Sequence, residues 1–451
     1  MVENGSRYLL HVSDFHLTEE KSQLEYAWSA LEALADKLKK EHIKVDYVFH
    51  TGDIIDSSDL HEKAASELIC CKSFYNSKGT DKAKFNFSAF QLSASYEAKN
   101  EFNKKIEELT TVRFKKAFFI MQKFTSRLNV SLGNVAICCG NHDIVRFALT
   151  PDINVKCTTS ETASPQYEMS EPINAIFEPF EAFLDNLETA NSRRRHGQSE
   201  PVLHFFIDNL NVLILNTNWI NPKDMKPGYY CVNCEQVRKS MQKSSEDMLS
   251  IVIAHKPIYE ICEKARLSYN RYIKTQFMAD LQEFIGENGI YLCGDKHTRS
   301  IVGSLFHDIP HYIGGEPLSS KENPSSEIGV EYNLLEISGN KLGMERKIHL
   351  TYAEPHKWKC DLRPQDVVVS QLYNLSKGSL IPNVREMIAM PRILNTWENA
   401  CQEIYRWTPS ERHQWYHNLD NLFKSICKCR ICGSNDVSWG VGEAKDNIFI
   451  Y

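Results

Sequence analysis

The chain of 451 residues contains no apolar run of about 18 or more residues, roughly the length a membrane-crossing helix needs. No secretory leader is expected either, because the first apolar stretch, Tyr8 to Val12, is short and begins almost at once. The expected protein is therefore soluble and cytoplasmic, with no membrane among its partners. Excess positive charge is also absent. A formal net charge of −6 argues against a general nucleic-acid coat, while leaving room for a local basic groove. Cysteine is plentiful, at 14 residues, but paired spacing is scarce. Cys231-Val232-Asn233-Cys234 has no second Cys-x-x-Cys beside it, and Cys70, Cys71, Cys138, Cys139 and Cys293 sit among apolar neighbours, as small buried side chains do in a reducing compartment. One dense basic group remains. Cys427, Cys429 and Cys432 have knuckle-like spacing and are candidate ligands of a structural zinc, with Cys401, His413 or His417 as the fourth.

Apolar residues suffice for a full core: 42% hydrophobic against 24% charged is an ordinary globular balance. Five apolar stretches end in residues of the kinds that hold metals. Tyr8 to Val12 leads into Ser13-Asp14-Phe15-His16, where the spacing puts a carboxylate and an imidazole on one side of an extended strand end. Tyr47 to His50 leads into Thr51-Gly52-Asp53. Val135 to Ile137 leads into Cys138-Cys139-Gly140-Asn141-His142-Asp143, an amide, an imidazole and a carboxylate in succession after a permissive glycine. Ile251 to Ala254 leads into His255-Lys256-Pro257, and Ile290 to Cys293 into Gly294-Asp295-Lys296-His297. Five such ends would converge at the carboxyl edge of a sheet, where loop-borne chemistry gathers. A donor set of imidazoles, carboxylates and one amide suits zinc, iron or manganese better than calcium.

In this order the motifs resemble the calcineurin-like metallophosphoesterase superfamily, over about residues 8 to 300. The resemblance implies two divalent ions. One would be held by Asp14, His16 and His297, with Asp53 bridging to a second held by Asn141 and His255. His142 would be the acid or transition-state stabiliser, oriented by Asp143. The chain departs from the family at Gly294-Asp295-Lys296-His297, where Gly-His-x-His is usual. Asp295 can ligate in place of that histidine, and its harder oxygen moves the preference from zinc towards manganese or magnesium. Manganese is the expected metal, with iron, zinc, magnesium and nickel as the other candidates.

Helical spacing of Leu24, Trp28, Leu31, Leu34 and Leu38 predicts a crossover helix over Gln23 to Glu41. Two insertions interrupt the core, at about residues 60–130 and 150–200. Helices are expected over Leu60 to Tyr75, Ser95 to Leu128 and Ile173 to Glu188. The acid-free stretch Arg113 to Arg127 reads as a solvated face or a phosphate-backbone contact, and the second insertion as a substrate-selecting lid or a tolerated surface loop. Leu203 to Ile207 and Val212 to Leu215 form a hairpin around Asp208-Asn209. With Ile301 to Gly303, His311 to Ile313, Tyr332 to Ile337 and Leu342 to His349, it would supply a second sheet. The expected fold class is α+β, two mixed sheets packed face to face with flanking helices, an α/β/β/α sandwich that the resemblance also implies. That domain covers residues 1–350. Residues 351–451 hold five of the seven tryptophans, Trp358, Trp397, Trp407, Trp415 and Trp439. They read as a mainly helical accessory segment with helices at Pro391 to Tyr405 and Ser410 to Ser425, packing on the core or on a protein partner.

The expected activity is metal-dependent phosphodiester hydrolysis of a nucleotide-type substrate. Two cations sharing Asp53 would generate a bridging hydroxide near neutral pH, and His142 would protonate or stabilise the departing oxygen. Arg146 and Lys296, and with them Lys256 and Arg299, lie close enough to ligands to face an anionic substrate. A nuclease of the same superfamily, a phosphomonoesterase and a non-catalytic binding module on the same fold are the alternatives.

Overall fold

The computed structural model describes residues 6–76, 84–144, 171–190, 192, 202–218, 248–257, 280–286, 289–295, 304–306, 309–313, 329–353, 357–364, 441–444 and 447–450. In chain order they form β1 (Arg7–Val12), α1 (Lys21–Lys40), β2 (Val45–His50), α2 (Leu60–Glu67), β3 (Tyr75–Asn76), β4 (Lys84–Phe85), α3 (Phe87–Ser93), α4 (Tyr96–Leu128), β5 (Val135–Ile137) and α5 (Glu171–Leu187). Next come β6 (Val202–Ile207), β7 (Leu210–Leu215), β8 (Leu249–Ala254), β9 (Ile290–Cys293), β10 (Ser304–Phe306), β11 (Ile309–Ile313), β12 (Gly329–Ser338), β13 (Lys341–Ala353), β14 (Lys357–Pro364), β15 (Val441–Ala444) and β16 (Asn447–Ile450). The chain divides into two compact units, Met1–Arg299 with Ile313–Pro364, and Ser300–Tyr312 with Gln365–Tyr451.

The first unit holds the layered core, with β1 at the middle of one sheet. β1 pairs parallel with β2 and antiparallel with β12, and the full order is β14-β13-β12-β1-β2-β5. The second sheet runs β9-β8-β7-β6, its last two strands forming the expected hairpin around Asp208 and Asn209 and the others parallel. Both sheets are thus mixed. β10 pairs antiparallel with β11, and β15 with β16.

Strand alternation decides what each face meets. Leu10, Val12, Val45 and Val48 join a large apolar cluster with Leu31 and Leu34 of α1, Phe114, Met121 and Phe124 of α4, and Phe180 and Phe183 of α5. The intervening Leu9, His11, Tyr47 and Phe49 are equally buried on the opposite face. That face meets the second sheet: Tyr47 Oη donates to Asp208 at 2.6 Å, and Cys138 Sγ lies 3.4 Å from the Leu215 carbonyl. Helices therefore cover one side of two sheets packed face to face.

Two expectations change. Tyr332 to Ile337 and Leu342 to His349, assigned to the second sheet, are β12 and β13 of the first. β12 is buried on both faces, with Val330, Tyr332 and Leu334 in the helix-side cluster and Glu331, Asn333, Leu335 and Ile337 buried outside it. A strand buried on both faces suits the centre of a covered sheet, and alternation alone does not choose between sheets. The sheet also runs on to Pro364, past residue 350. Trp358, expected in the accessory segment, is a core residue, packing against Tyr26 and Tyr352 with ring centroids 5.1 and 5.4 Å away. Residues 301–303, the second insertion before Glu171 and both C-terminal helices lie outside the described residues.

The first insertion builds a small core of its own from Leu60, Ala64, Cys71, Phe90, Phe102 and Ile106. α4 ties this core to the main one. It starts at Ser95, whose Oγ accepts from Ala98 N at 3.2 Å, and stops where Asn129 turns left-handed at φ 57°. Its basic run is divided: Lys115 and Lys116 are exposed, and the other three make contacts. Arg113 is fully buried, with Nε 2.5 Å from Glu19 and Nη1 2.7 Å from Asp59; Lys123 lies 3.7 Å from the centre of the Trp28 ring, and Arg127 is 2.6 Å from Asp36.

Candidate metal centre

Loops after β1, β2, β5, β8 and β9 meet at one edge of the sandwich, stitched by their backbones. Asp14 N donates to the Gly52 carbonyl and His16 N to the Asp53 carbonyl, both at 3.0 Å, and Gly294 N donates to the His255 carbonyl at 3.0 Å. The turns are tight enough to force unusual backbone. Asp14, His16, Asp53 and Asp295 have φ of 57°, 47°, 55° and 71°, a left-handed region that non-glycine residues enter at a cost and mostly at functional sites. Close approach also fixes two glycines. A Cβ at Gly140 would sit 2.0 Å from Asp53 N, and one at Gly294 would sit 1.9 Å from Ser13 Oγ and 2.5 Å from Asp14 Oδ2.

The side chains converge on Asp53. His16 Nε2 is 3.5 Å from Asp53 Oδ2 and 3.7 Å from Asp14 Oδ1. From the other side, His255 Nε2 is 3.3 Å from Asp53 Oδ2, 3.0 Å from Asn141 Oδ1 and 3.5 Å from Asp295 Oδ1. The second ring nitrogen, His255 Nδ1, lies 2.7 Å from the Thr51 carbonyl, which fixes the ring and turns Nε2 to the centre. Two sets offer ligand atoms within 4.8 Å of one another: Asp14, Asp53 and His255, all buried, and His16, Asp56 and His142 nearer the surface. Buried carboxylates and imidazoles around one carboxylate are the donor chemistry of a divalent-cation centre, and these residues fit one.

Charge is set by contact. Burial raises the Asp53 carboxyl, but His255 and His16 outweigh it and hold it below the usual carboxylate range. Asp295 behaves likewise, with burial opposed by His255 and Lys256 and the carboxyl held at about 2. Burial lowers His142, yet its partner Asp56 raises it above an ordinary histidine.

That partner was missed in the sequence. His142 Nδ1 lies 3.1 Å from Asp56 Oδ1, and the His142 and His16 rings meet edge to face at 4.6 Å. Asp143, expected to orient His142, instead accepts four backbone N–H groups, from Asp53 at 2.9 Å, Ile54 at 2.8 Å, Ile55 at 3.1 Å and Gly140 at 2.8 Å. It braces the loop after β2 against the loop after β5. A carboxylate three residues beyond Asp53 was the available signal for Asp56. Asp14, His16, Asp53, Asn141, His142, His255 and Asp295 are brought together as predicted, whereas Arg146, Lys296, His297 and Arg299 lie outside the described residues, as do Cys427, Cys429 and Cys432. Lys256 turns inward, donating to Asn141 Oδ1 at 2.7 Å and to Asp295 Oδ1.

Fold and site together define a metal-type hydrolytic centre at the strand ends of a two-sheet sandwich. The calcineurin-like phosphoesterase family matches residues 8–299, more than half of the chain, and the chain belongs to that family of metal-dependent hydrolases of phosphoester bonds. No curated protein matches it. Among solved structures it is similar to GAP50, the anchor in the inner membrane complex of Plasmodium, at 12% identity and a TM-score of 0.31, over 84% of this chain and 95% of that one. A second is the NAD nucleotidase NadN of Haemophilus influenzae, at 13% identity and a TM-score of 0.28, over 79% of this chain and 49% of that one. No described helix is long and apolar enough to cross a membrane.

Proposed function

We propose that the chain is a metal-dependent phosphodiesterase acting on a nucleotide-type substrate, with manganese as its metal. The observation behind the hydrolytic reading is His142, partly exposed beside the ligand cluster and held by Asp56 at 3.1 Å. The alkoxide expelled from a nucleotide ester is a poor leaving group that gains most from a positioned acid, and the aspartate at Asp143 resembles the form of this motif in class III cyclic nucleotide phosphodiesterases, which favours a diester. Asp14, His16 and Asp53 would hold a divalent cation, while Asp53, Asn141, His255 and Asp295 face a second position. Bound there, divalent charge would lower the pKa of a nucleophilic water and neutralise phosphoryl oxygens. Asp56 holds the His142 ring in place and, against the lowering effect of burial, raises it above an ordinary histidine. Asp143 holds the Asp53 loop so that the central carboxylate does not shift, and Thr51 holds His255. The carboxylate oxygens of Asp14 and Asp53 favour manganese over zinc.

Leaving-group dependence tests the acid. His142→Ala should cost about 10²–10⁴-fold with an alkoxide leaving group and much less with p-nitrophenolate, which needs no proton. Equal losses on both would sink the acid role. Cyclic nucleotides turned over no faster than nucleoside monophosphates would replace the diesterase by a monoesterase.

A further inference from the structure

A lysine stands beside the second cation position. Lys256 follows His255 at the end of β8, and its backbone is pinned: its N–H donates to Thr217 Oγ1 at 3.2 Å, and Tyr291 Oη donates to its carbonyl at 2.8 Å. The side chain is only 6% exposed. Nζ reaches Asn141 Oδ1 at 2.7 Å and Asp295 Oδ1, two of the four groups, with Asp53 and His255, that face this position. The ammonium therefore shares oxygens that a metal there would need. A divalent ion binds oxygen at about 2.0–2.2 Å, so ion and ammonium on the same oxygens would crowd each other and repel strongly in a buried setting.

The local charges at this position agree. The ammonium already stands against Asp295 and Asn141, so an added divalent cation would meet a like charge in a buried setting. The departure at Asp295 is explained in the same terms, since an ammonium needs an anionic neighbour where an imidazole would give it none.

We propose that Lys256 is the built-in cation of the second position, so that the chain holds one resident divalent ion, at Asp14, His16 and Asp53, and Asp295 is the counter-ion of Lys256. This rests on the metal-dependent reading above and specifies which cations compose the centre. The ammonium would neutralise and hydrogen-bond a phosphoryl oxygen of the substrate as a compact point charge.

The test is metal stoichiometry on the full chain. Metal-free protein is titrated with Mn(II), the bound metal is counted by elemental analysis, and spin coupling is read by electron paramagnetic resonance. Wild type should bind one ion per chain with an uncoupled mononuclear signal. Lys256→Met, of similar length without the charge, should take up a second ion and show a coupled pair, while Lys256→Arg should stay at one. Two ions and a coupled signal in wild type would overturn the assignment and leave the metal-dependent reading intact. A Lys256→Met chain that folds yet stays at one ion would also contradict it. No bound ion in wild type would overturn both readings. The wild-type count is decisive alone, so a variant that fails to fold does not blunt the test.

Discussion

Asp53 is the residue on which both halves of the centre depend, since His16 and His255 approach the same oxygen at 3.5 and 3.3 Å. Asp53→Asn removes the shared charge and should abolish metal uptake and turnover while the chain stays folded; retained activity would contradict the cation-centre reading. Gly294→Ala should also cost metal affinity, by about 10–100-fold, because its new methyl displaces Asp14 and Ser13. Titration calorimetry with Mn(II) reads this directly, and unchanged affinity would mean that the close packing around Gly294 is not needed. The candidate ligands were legible at this scale because each ends an apolar strand, where core packing has no use for a carboxylate or an imidazole. Roles were less legible than identities. Asp143 follows His142 in sequence, yet at a turn its carboxylate is bent back onto four amides, and Asp56 takes the imidazole from another loop. Sequence adjacency says little about which carboxylate a ring will face.

Among the elements, α4 joins the insertion to the centre. Arg113, in the middle of this helix, bonds Glu19 and Asp59 and donates to the Asp56 carbonyl, so the helix supports the residue that holds His142. Arg113→Met leaves Glu19 and Asp59 with Lys63 alone and should destabilise the fold by about 2 kcal/mol in denaturant unfolding. Burial raises Glu19 and Asp59, but their bonds to Arg113 and Lys63 outweigh it and lower both carboxyls. Depressed folded-state values stabilise above the unfolded carboxyl range. This contribution is therefore complete above about pH 5 and lost as the pH falls through the depressed values. Wild type should lose stability over that acid window, and Arg113→Met should show a shallower loss; parallel curves would rule out the network as the cause. Periodicity located α1, α4, α5 and the β6–β7 hairpin, because each buries one regular stripe. It misplaced β12 and β13, because Tyr332 and Leu334 alternate as well in one sheet as in the other, and partner choice is decided by the far-off β1. The basic run on α4 is solvated at Lys115 and Lys116, but charge pattern does not show that Glu19 and Asp59 lie opposite Arg113.

For the whole molecule, the first unit is a calcineurin-like phosphoesterase core carrying a helical insertion with its own apolar cluster. Phe102→Ala should cost about 3–5 kcal/mol locally, with hydrogen-exchange protection lost over α2 and α3 and kept over β1 and β2; loss across both would make the insertion inseparable from the core. The family match ends at residue 299; among the described residues beyond it, β12 to β14 are tied to the core through the pairing of β12 with β1. The measurement that bears most directly on the account is manganese-dependent hydrolysis of bis-p-nitrophenyl phosphate beside p-nitrophenyl phosphate, with Asp53→Asn as control and metal content read on the same samples. Diester turnover that needs manganese, exceeds monoester turnover and vanishes in Asp53→Asn is the predicted result. Metal-loaded protein that turns over neither ester, or turnover that survives Asp53→Asn, would contradict it.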